Sequence, residues 1–260
     1  MATFLFNEII FGPVLSRRLG ESLGINLLPV DSKFCNFNCL YCECGFTLKS
    51  PKGNKITLPS SSEVREALEK KLLISLKENT KIDSITFAGN GEPTLHPEFP
   101  TIIDDTIKAR DKYYPSAKIA VLSNATLIGK PLIREALRKA DFNILKLDSV
   151  NEETLRLINC PIGHFRLPDL LENLKNFQGK ITIQTLFVRG EYKGKSFDNS
   201  TEKEVNDWLK YIQLIHPELV MIYTFRRDTP IQTLEKISQQ RLQEIAMKVQ
   251  ALGIQVSVSA

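Results

Sequence analysis

The chain has 260 residues, of which 42% are hydrophobic and 25% charged, with 13 glycines and 13 prolines; this globular composition excludes a largely disordered chain and a collagen-like repeat. Lys plus Arg exceed Asp plus Glu by 34 − 30 = 4, too mild a surplus for a nucleic-acid packaging protein, although RNA contact stays permitted. The opening Met1-Ala2-Thr3-Phe4-Leu5-Phe6 has no basic leader, and Asn7 and Glu8 break its apolar run, so we expect neither a secretory signal nor a spanning helix of about 20 apolar residues, and a cytoplasmic protein without membrane contact.

Short β-branched apolar runs then alternate with amphipathic segments. Strand Gly24–Leu28 leads into a cysteine-rich loop. A helix over Ser62–Leu76 follows, with Val64, Leu68, Leu72 and Leu76 at i+4 spacing and Ser60 with Glu63 matching a capping box. Strand Ile82–Ala88, helix Phe99–Tyr113, strand Lys118–Leu122, helix Pro131–Ala140 and strand Phe142–Leu147 continue the series. Helix Pro168–Phe177, strand Ile181–Phe187, helix Thr201–Ile215, strand Leu219–Tyr223, helix Ile231–Leu252 and strand Ile254–Val258 complete it. The strands read as buried on both faces, as in a parallel sheet. Strand then helix, repeated without a low-complexity linker or internal repeat, predicts one continuous α/β domain with right-handed crossovers, either a full or partial barrel or an open doubly wound sheet. Ligands in such folds sit beyond the carboxyl ends of the strands.

Four of the five cysteines, Cys35, Cys39, Cys42 and Cys44, fall within ten residues, and Cys160 stands apart. Such crowding favours metal ligation over disulfides in a reducing compartment. Cys35, Cys39 and Cys42 follow a Cys-x3-Cys-x2-Cys spacing. A structural zinc closes its tetrahedron with protein groups, whereas a cubane iron–sulfur cluster on three cysteines leaves one iron open to a small molecule. Cys44 as a fourth zinc ligand, giving a noncatalytic zinc-binding module, is the competing reading, as is simple burial of small thiols.

The spacing, with aromatic Tyr41 just before the last cysteine, resembles the radical S-adenosylmethionine (SAM) superfamily. The resemblance implies a partial parallel (β/α)6 barrel over residues 1–260, with residues 1–23 as an N-terminal extension. It also implies a [4Fe-4S] cluster on Cys35, Cys39 and Cys42, SAM bound at the open iron, a low-potential electron donor, and reductive cleavage of SAM to a 5′-deoxyadenosyl radical that abstracts hydrogen from substrate.

Later strand ends carry further resemblances. Gly89-Asn90-Gly91-Glu92-Pro93 is similar to the family's Gly-Gly-Glu-Pro motif; Glu92 and nearby carbonyls would accept from the cofactor's ammonium group, while an ordinary turn before Pro93 is the alternative. Ser123-Asn124-Ala125 resembles a Thr-Asn-Gly segment near the methionyl carboxylate or ribose, the alternative being an Asx-turn or cap. Asp148 is a candidate ribose acceptor or else a partner of Lys146 or of core polar groups. Gln184 lies on the interior-facing side of its strand as a cofactor contact or as a core glutamine. Tyr223 fits either an adenine pocket or packing.

Gly12-Pro13-Val14-Leu15-Ser16-Arg17-Arg18-Leu19-Gly20 and Gly89-Asn90-Gly91-Glu92-Pro93-Thr94-Leu95 look like the branch containing wyosine-type tRNA-modifying enzymes and related iron–sulfur oxidoreductases. Cys160 stands where that branch carries arginine, and Cys44 with Cys160 is too small a set for a second cluster. A nucleoside in RNA is the first substrate expectation; a protein partner, as in glycyl-radical activation, is the second. The Arg17-Arg18 pair reads either as an anion contact or as a surface salt bridge. His96, His164 and His216 all fit loops or helix ends and are not assigned a catalytic role.

Overall fold

The structure, a computed structural model, describes residues 4–16, 18–47 and 57–259; Met1 to Thr3 of the opening segment and Arg17 of the basic pair lie outside them. In chain order the strands are β1 (Ile10–Ser16), β2 (Gly20–Ile25), β3 (Ser84–Phe87), β4 (Lys118–Ser123), β5 (Phe142–Lys146), β6 (Thr182–Leu186), β7 (Val188–Tyr192), β8 (Lys195–Asp198), β9 (Leu219–Tyr223), β10 (Leu234–Lys236) and β11 (Gln255–Ser259). The helices are α1 (Ser61–Lys77), α2 (Phe99–Tyr113), α3 (Pro131–Arg138), α4 (Glu152–Asn159), α5 (Leu167–Lys175), α6 (Glu202–Ile215) and α7 (Gln239–Gln250).

The main sheet runs β1-β2-β3-β4-β5-β6-β9-β11. Every neighbouring pair from β2 onward is parallel, and only β1 joins antiparallel. The sheet curls into a half-barrel whose first and last strands do not meet, the α/β partial barrel that the resemblance implies and one of the architectures the alternation leaves open. The seven strands read from the sequence all belong to its parallel part. No described helix is long and apolar enough to cross a membrane.

Several boundaries move for local reasons. The first parallel strand is Gly20–Ile25 rather than Gly24–Leu28, because Asn26 turns the chain: its Oδ1 accepts from Leu28 N–H and its Nδ2 donates to Leu28 O. This strand therefore begins inside the segment expected as an extension. The capping box is present as read, with Ser60 and Glu63 satisfying each other's backbone. The last helix starts only at Gln239, capped by Ser238, whose Oγ accepts from Arg241 N–H; the residues before it form β10, paired with β7. With β8, these make a second, three-stranded antiparallel sheet in the order β10-β7-β8, absent from the sequence reading. Helix α4 was absent too, although Asn151 caps it by accepting from Glu153 and Thr154 N–H, and two acidic residues fill its first turn.

Three apolar clusters divide the molecule. The largest lies between sheet and helices and runs from Ile10 to Ile254. A small one, Ala120, Ile144 and Met221 with Leu19, Leu122 and Leu219, fills the base of the half-barrel interior. A third, including Phe37, Leu40, Ile158, Leu186 and Val188, supports the cysteine loop. Leu19 belongs to the β1–β2 turn, so this turn plugs the barrel base; Ser84 Oγ donates to Leu19 O at 2.9 Å and holds it there.

Candidate active site

The cysteine loop lies over the carboxyl ends of the parallel strands and is held by its own hydrogen bonds. Phe34 N–H donates to Asn90 O at 2.8 Å and Glu92 N–H to Phe34 O at 3.1 Å, joining the loop to the Gly89–Glu92 turn. Asn38 N–H donates to Cys160 O and Leu40 N–H to Ile158 O, joining it to the end of α4. Thr47 closes the loop, its Oγ1 donating to Cys35 O at 2.9 Å and its N–H to Asn38 Oδ1 at 2.7 Å.

Lys33 belongs to this site, a role the cysteine spacing gave no reason to suspect. It is buried, and its Nζ donates to Gly45 O at 2.8 Å. Burial works against its charge, but Cys42, Cys39 and Cys35 together raise its pKa above the ordinary lysine value. Conversely, burial and then Glu92 push Cys35 up to about 12, with Lys33 opposing, and burial likewise raises Cys39. Cys42 is lowered, first by the hydrogen bond from the Cys44 thiol and, against burial, by Lys33; Cys44 is correspondingly raised. Lys33 thus acts on all three sulfurs of the spacing and favours the thiolate of each, in Cys35 and Cys39 against the larger effect of burial. Among the described residues no three His, Cys, Asp or Glu side chains converge on a point able to hold a single metal ion. Three cysteine sulfurs with a cation beside them are the ligand type that iron–sulfur clusters take, so the chemistry of the donor set suits such a cluster. Cys44 Sγ also lies 3.5 Å from Gly89 O. Cys160, in the left-handed conformation at the end of α4, donates its thiol to Leu157 O at 3.2 Å.

The Gly-x-Gly-Glu-Pro turn is used mainly within the chain. A Cβ on Gly91, at φ +145°, would stand 1.9 Å from Phe34 O, and one on Gly89, at φ +139°, would stand 2.5 Å from Asn26 Oδ1. Asn90 is fully buried; its Nδ2 donates to Phe6 O and Pro29 O, and its Oδ1 accepts from Phe6 N–H. Pro93 opens a short 3₁₀ turn, Pro93–Leu95. Glu92 accepts four hydrogen bonds, from Thr94 N–H, Thr94 Oγ1, Ser123 Oγ and Asn124 N–H. It ties the end of β3 to the end of β4 rather than presenting open oxygens. Burial raises its pKa while these donors lower it.

Asn124 faces the cysteine loop: its Nδ2 donates to Asn36 Oδ1 at 2.6 Å and lies 3.6 Å from Cys35 Sγ. Ala125 takes φ +64°, the conformation that suits glycine in the Thr-Asn-Gly pattern. Asp148 has its oxygens engaged by the protein, Oδ1 accepting from Leu186 N–H and Oδ2 from Tyr41 Oη and Asn159 Nδ2, with Lys146 Nζ at 3.6 Å. It pairs with Lys146 and with core polar groups, one of the two alternatives the sequence left open. Asn159 Nδ2 also lies 3.3 Å from Cys39 Sγ, so Asp148, Asn159 and Tyr41 brace the loop as a unit. Gln184 stands in register between Lys146 and Met221, facing the barrel interior with no side-chain hydrogen bond among the described residues.

The sequence pattern described as the Radical SAM superfamily matches residues 30–195. The chain is 32% identical over 227 residues to a "UPF0026 protein" of Synechocystis sp., covering 86% of this chain and 77% of that one. It is also 30% identical over 239 residues to a protein named "GTPase Obg" from Brachyspira hyodysenteriae, covering 90% of this chain and 32% of that one, so it spans about a third of that relative's length. Among solved structures, a radical SAM methyltransferase from Sphaerobacter thermophilus matches at a TM-score of 0.65 and 13% identity, over 92% of this chain and 65% of that one. Streptococcus suis SuiB bound to S-adenosylmethionine matches at 0.62 and 13%, over 88% and 49%, and archaeal TYW1 at 0.55 and 12%, over 88% and 71%. At these identities the likeness to the solved structures is one of fold.

Proposed function

The chain belongs to the radical SAM superfamily, and on that premise we propose that it is an enzyme that binds a [4Fe-4S] cluster through Cys35, Cys39 and Cys42 and uses SAM to abstract hydrogen from a substrate. The observation that carries the reading is the trio of cysteines around one buried lysine, at the carboxyl ends of a parallel half-barrel. Such a cluster, reduced by a low-potential donor, supplies the electron that splits SAM into methionine and a 5′-deoxyadenosyl radical.

The chain's own residues perform the rest. Lys33 offsets the negative charge of the thiolates. Asn159, Tyr41 and Asp148 fix Cys39 and the turn that carries Cys42, while Asn124 and Asn36 fix the Cys35 side of the loop. Glu92 and Ser123 lock the two strand ends beneath, and Gly89, Asn90, Gly91 and Pro93 seat the loop against them. In this reading the backbone edge from Gly89 to Pro93, together with Ser123, Asn124 and Asp148, borders the SAM pocket, and Gln184 offers an amide to the ligand from the lumen. The apolar base of Ala120, Ile144 and Met221 keeps water from the reacting atoms.

Residues 1–260 act as one catalytic domain in this account, with Leu19 plugging its base. The cytoplasm, where thiols stay reduced, is the compartment that suits it. A nucleoside in RNA is the substrate class favoured by the resemblance to wyosine-type enzymes. Their second cluster is not part of the reading, since this chain has five cysteines in all.

Anaerobic reconstitution with iron and sulfide tests the assignment. The wild type is expected to turn brown and, on reduction with SAM, to release 5′-deoxyadenosine, whereas Cys35→Ala, Cys39→Ala or Cys42→Ala loses both while retaining its circular dichroism spectrum. A purified protein holding one zinc per chain and taking up no iron would overturn it.

A further inference from the structure

Beyond the cysteine loop, the half-barrel interior holds a second group of charges that none of the roles above uses. Arg18, in the β1–β2 turn that plugs the base, directs its guanidinium up into the interior, with its carbon 5.1 Å from the centre of the Tyr223 ring. Its Nη1 is buried and has no hydrogen-bond partner. From β5, with only β6 between it and β9, Lys146 reaches the same tyrosine, its Nζ 3.5 Å from Tyr223 Oη and 6.0 Å from the ring centre. Gln184 stands beside Lys146 in register, and Tyr223 is the next inward position after Met221 on β9.

The charge count favours a ligand. Lys146 is paired with Asp148 at 3.6 Å, and no acid is paired with Arg18 among the described residues, so this part of the lumen carries one surplus positive charge. A buried guanidinium N–H without an acceptor is a standing cost that an anion would relieve. A planar guanidinium fork also matches the paired oxygens of a carboxylate or phosphoryl group. The apolar cluster that includes Leu19, Ile144 and Met221 fills the base of the same lumen, and an ion contact beside such surface is less screened than one in open water.

We propose that Arg18, with Lys146 and Tyr223, forms a binding site for an oxyanion of the substrate, a carboxylate or a phosphoryl group, and so restricts the substrate to molecules that carry one within the reach of the barrel base. Arg18 Nη1 and Nη2 donate to the anion, and Lys146 Nζ and Tyr223 Oη bound it from β5 and β9. The site rests on the reading of the lumen as the reaction chamber, but its existence is independent of the cluster.

The test is titration calorimetry at low ionic strength on the anaerobically reconstituted protein, using inorganic phosphate, acetate and SAM as separate probes. The expected result is that Arg18→Gln weakens the tighter-binding of the two anions by about tenfold or more, the loss of a charge-assisted contact, while SAM affinity stays within about twofold of wild type. Arg18→Lys, which keeps the charge, recovers part of the loss, which a mere packing defect would not do. Preference for phosphate over acetate, or the reverse, identifies the oxyanion. Equal anion affinity in wild type and Arg18→Gln overturns the proposal. A parallel loss of SAM affinity also overturns it, because the arginine then holds the cofactor's own carboxylate. If no iron or SAM binds yet phosphate still depends on Arg18, the site stands and the radical reading fails; if SAM binds and the anions ignore Arg18, the reverse holds.

Discussion

Glu92 receives four donors from two strand ends, with Thr94 N–H, Thr94 Oγ1 and Ser123 Oγ on Oε1 and Asn124 N–H on Oε2. Glu92→Gln keeps the shape but turns an amide N–H₂ toward either Thr94 N–H or Asn124 N–H; the two hydroxyls can reverse their roles, whereas a backbone N–H can only donate, so one is left unpaired in a buried site. It is expected to lower unfolding free energy by about 2–4 kcal/mol, measured by urea denaturation; a loss below about 1 kcal/mol would contradict this bracing role. The acid itself was visible in the sequence as a site residue, but its use was not, since Ser123 and Asn124 lie more than thirty positions away. Asp148 teaches the same lesson: its partners Tyr41, Asn159 and Leu186 come from three separate segments. The cysteines were legible because their chemistry is set by local spacing. Lys33 was not, because a single lysine has no pattern and its meaning comes only from the sulfurs it meets.

At the scale of the element, α2 begins after a turn organised by His96. Its Nδ1 accepts from Glu98 N–H at 3.1 Å, which requires that nitrogen to be unprotonated, so Nε2 carries the proton and donates to Pro59 O at 2.8 Å. Burial holds the His96 pKa below its ordinary value, against the pull of Pro59 O and Glu98. The unfolded chain therefore takes up a proton near the usual value of about 6.5, while the folded ring resists until lower pH. Its contribution to stability is complete above about 6.5 and declines as pH falls through the folded value. Urea midpoints at pH 7.5, 6.5 and 5.5 should fall more steeply for wild type than for His96→Gln; parallel declines would refute the assignment. Helices and parallel strands were legible here because each repeats its apolar period over many residues, and α1 even carried its capping box. The β7, β8 and β10 strands escape a sequence reading because they are short and largely exposed, and their pairing joins Leu234 to Gly190 across a helix and two strands.

For the whole molecule, the largest core cluster takes side chains from nearly every element between β1 and the residue before β11, so its parts have no separate interior to fall back on. Trp208, the only tryptophan, lies in that core with Phe187 edge-on at 5.6 Å. Its fluorescence and the far-UV circular dichroism should therefore follow one common urea transition, and two separated transitions would show that the antiparallel sheet or the β1–β2 plug melts on its own. The α/β alternation made the parallel sheet legible, because a buried parallel sheet demands continuous apolar strands; the choice of a half-barrel over a closed barrel or an open sheet came only with the resemblance. The plug of the base was hidden, because nothing in Ser16 to Gly20 signals that its turn folds inward.

The hydrogen bonds from Lys33 to Gly45, from Thr47 to Cys35 and Asn38, and from Phe34 to Asn90 shape the cysteine loop from within the polypeptide. Small zinc domains gain their fold only on taking up metal; here the bonds that shape the loop run between polypeptide groups, and none of those four passes through a sulfur. Taking away one thiol should then leave them standing, so that a defect in binding can be told apart from a defect in folding.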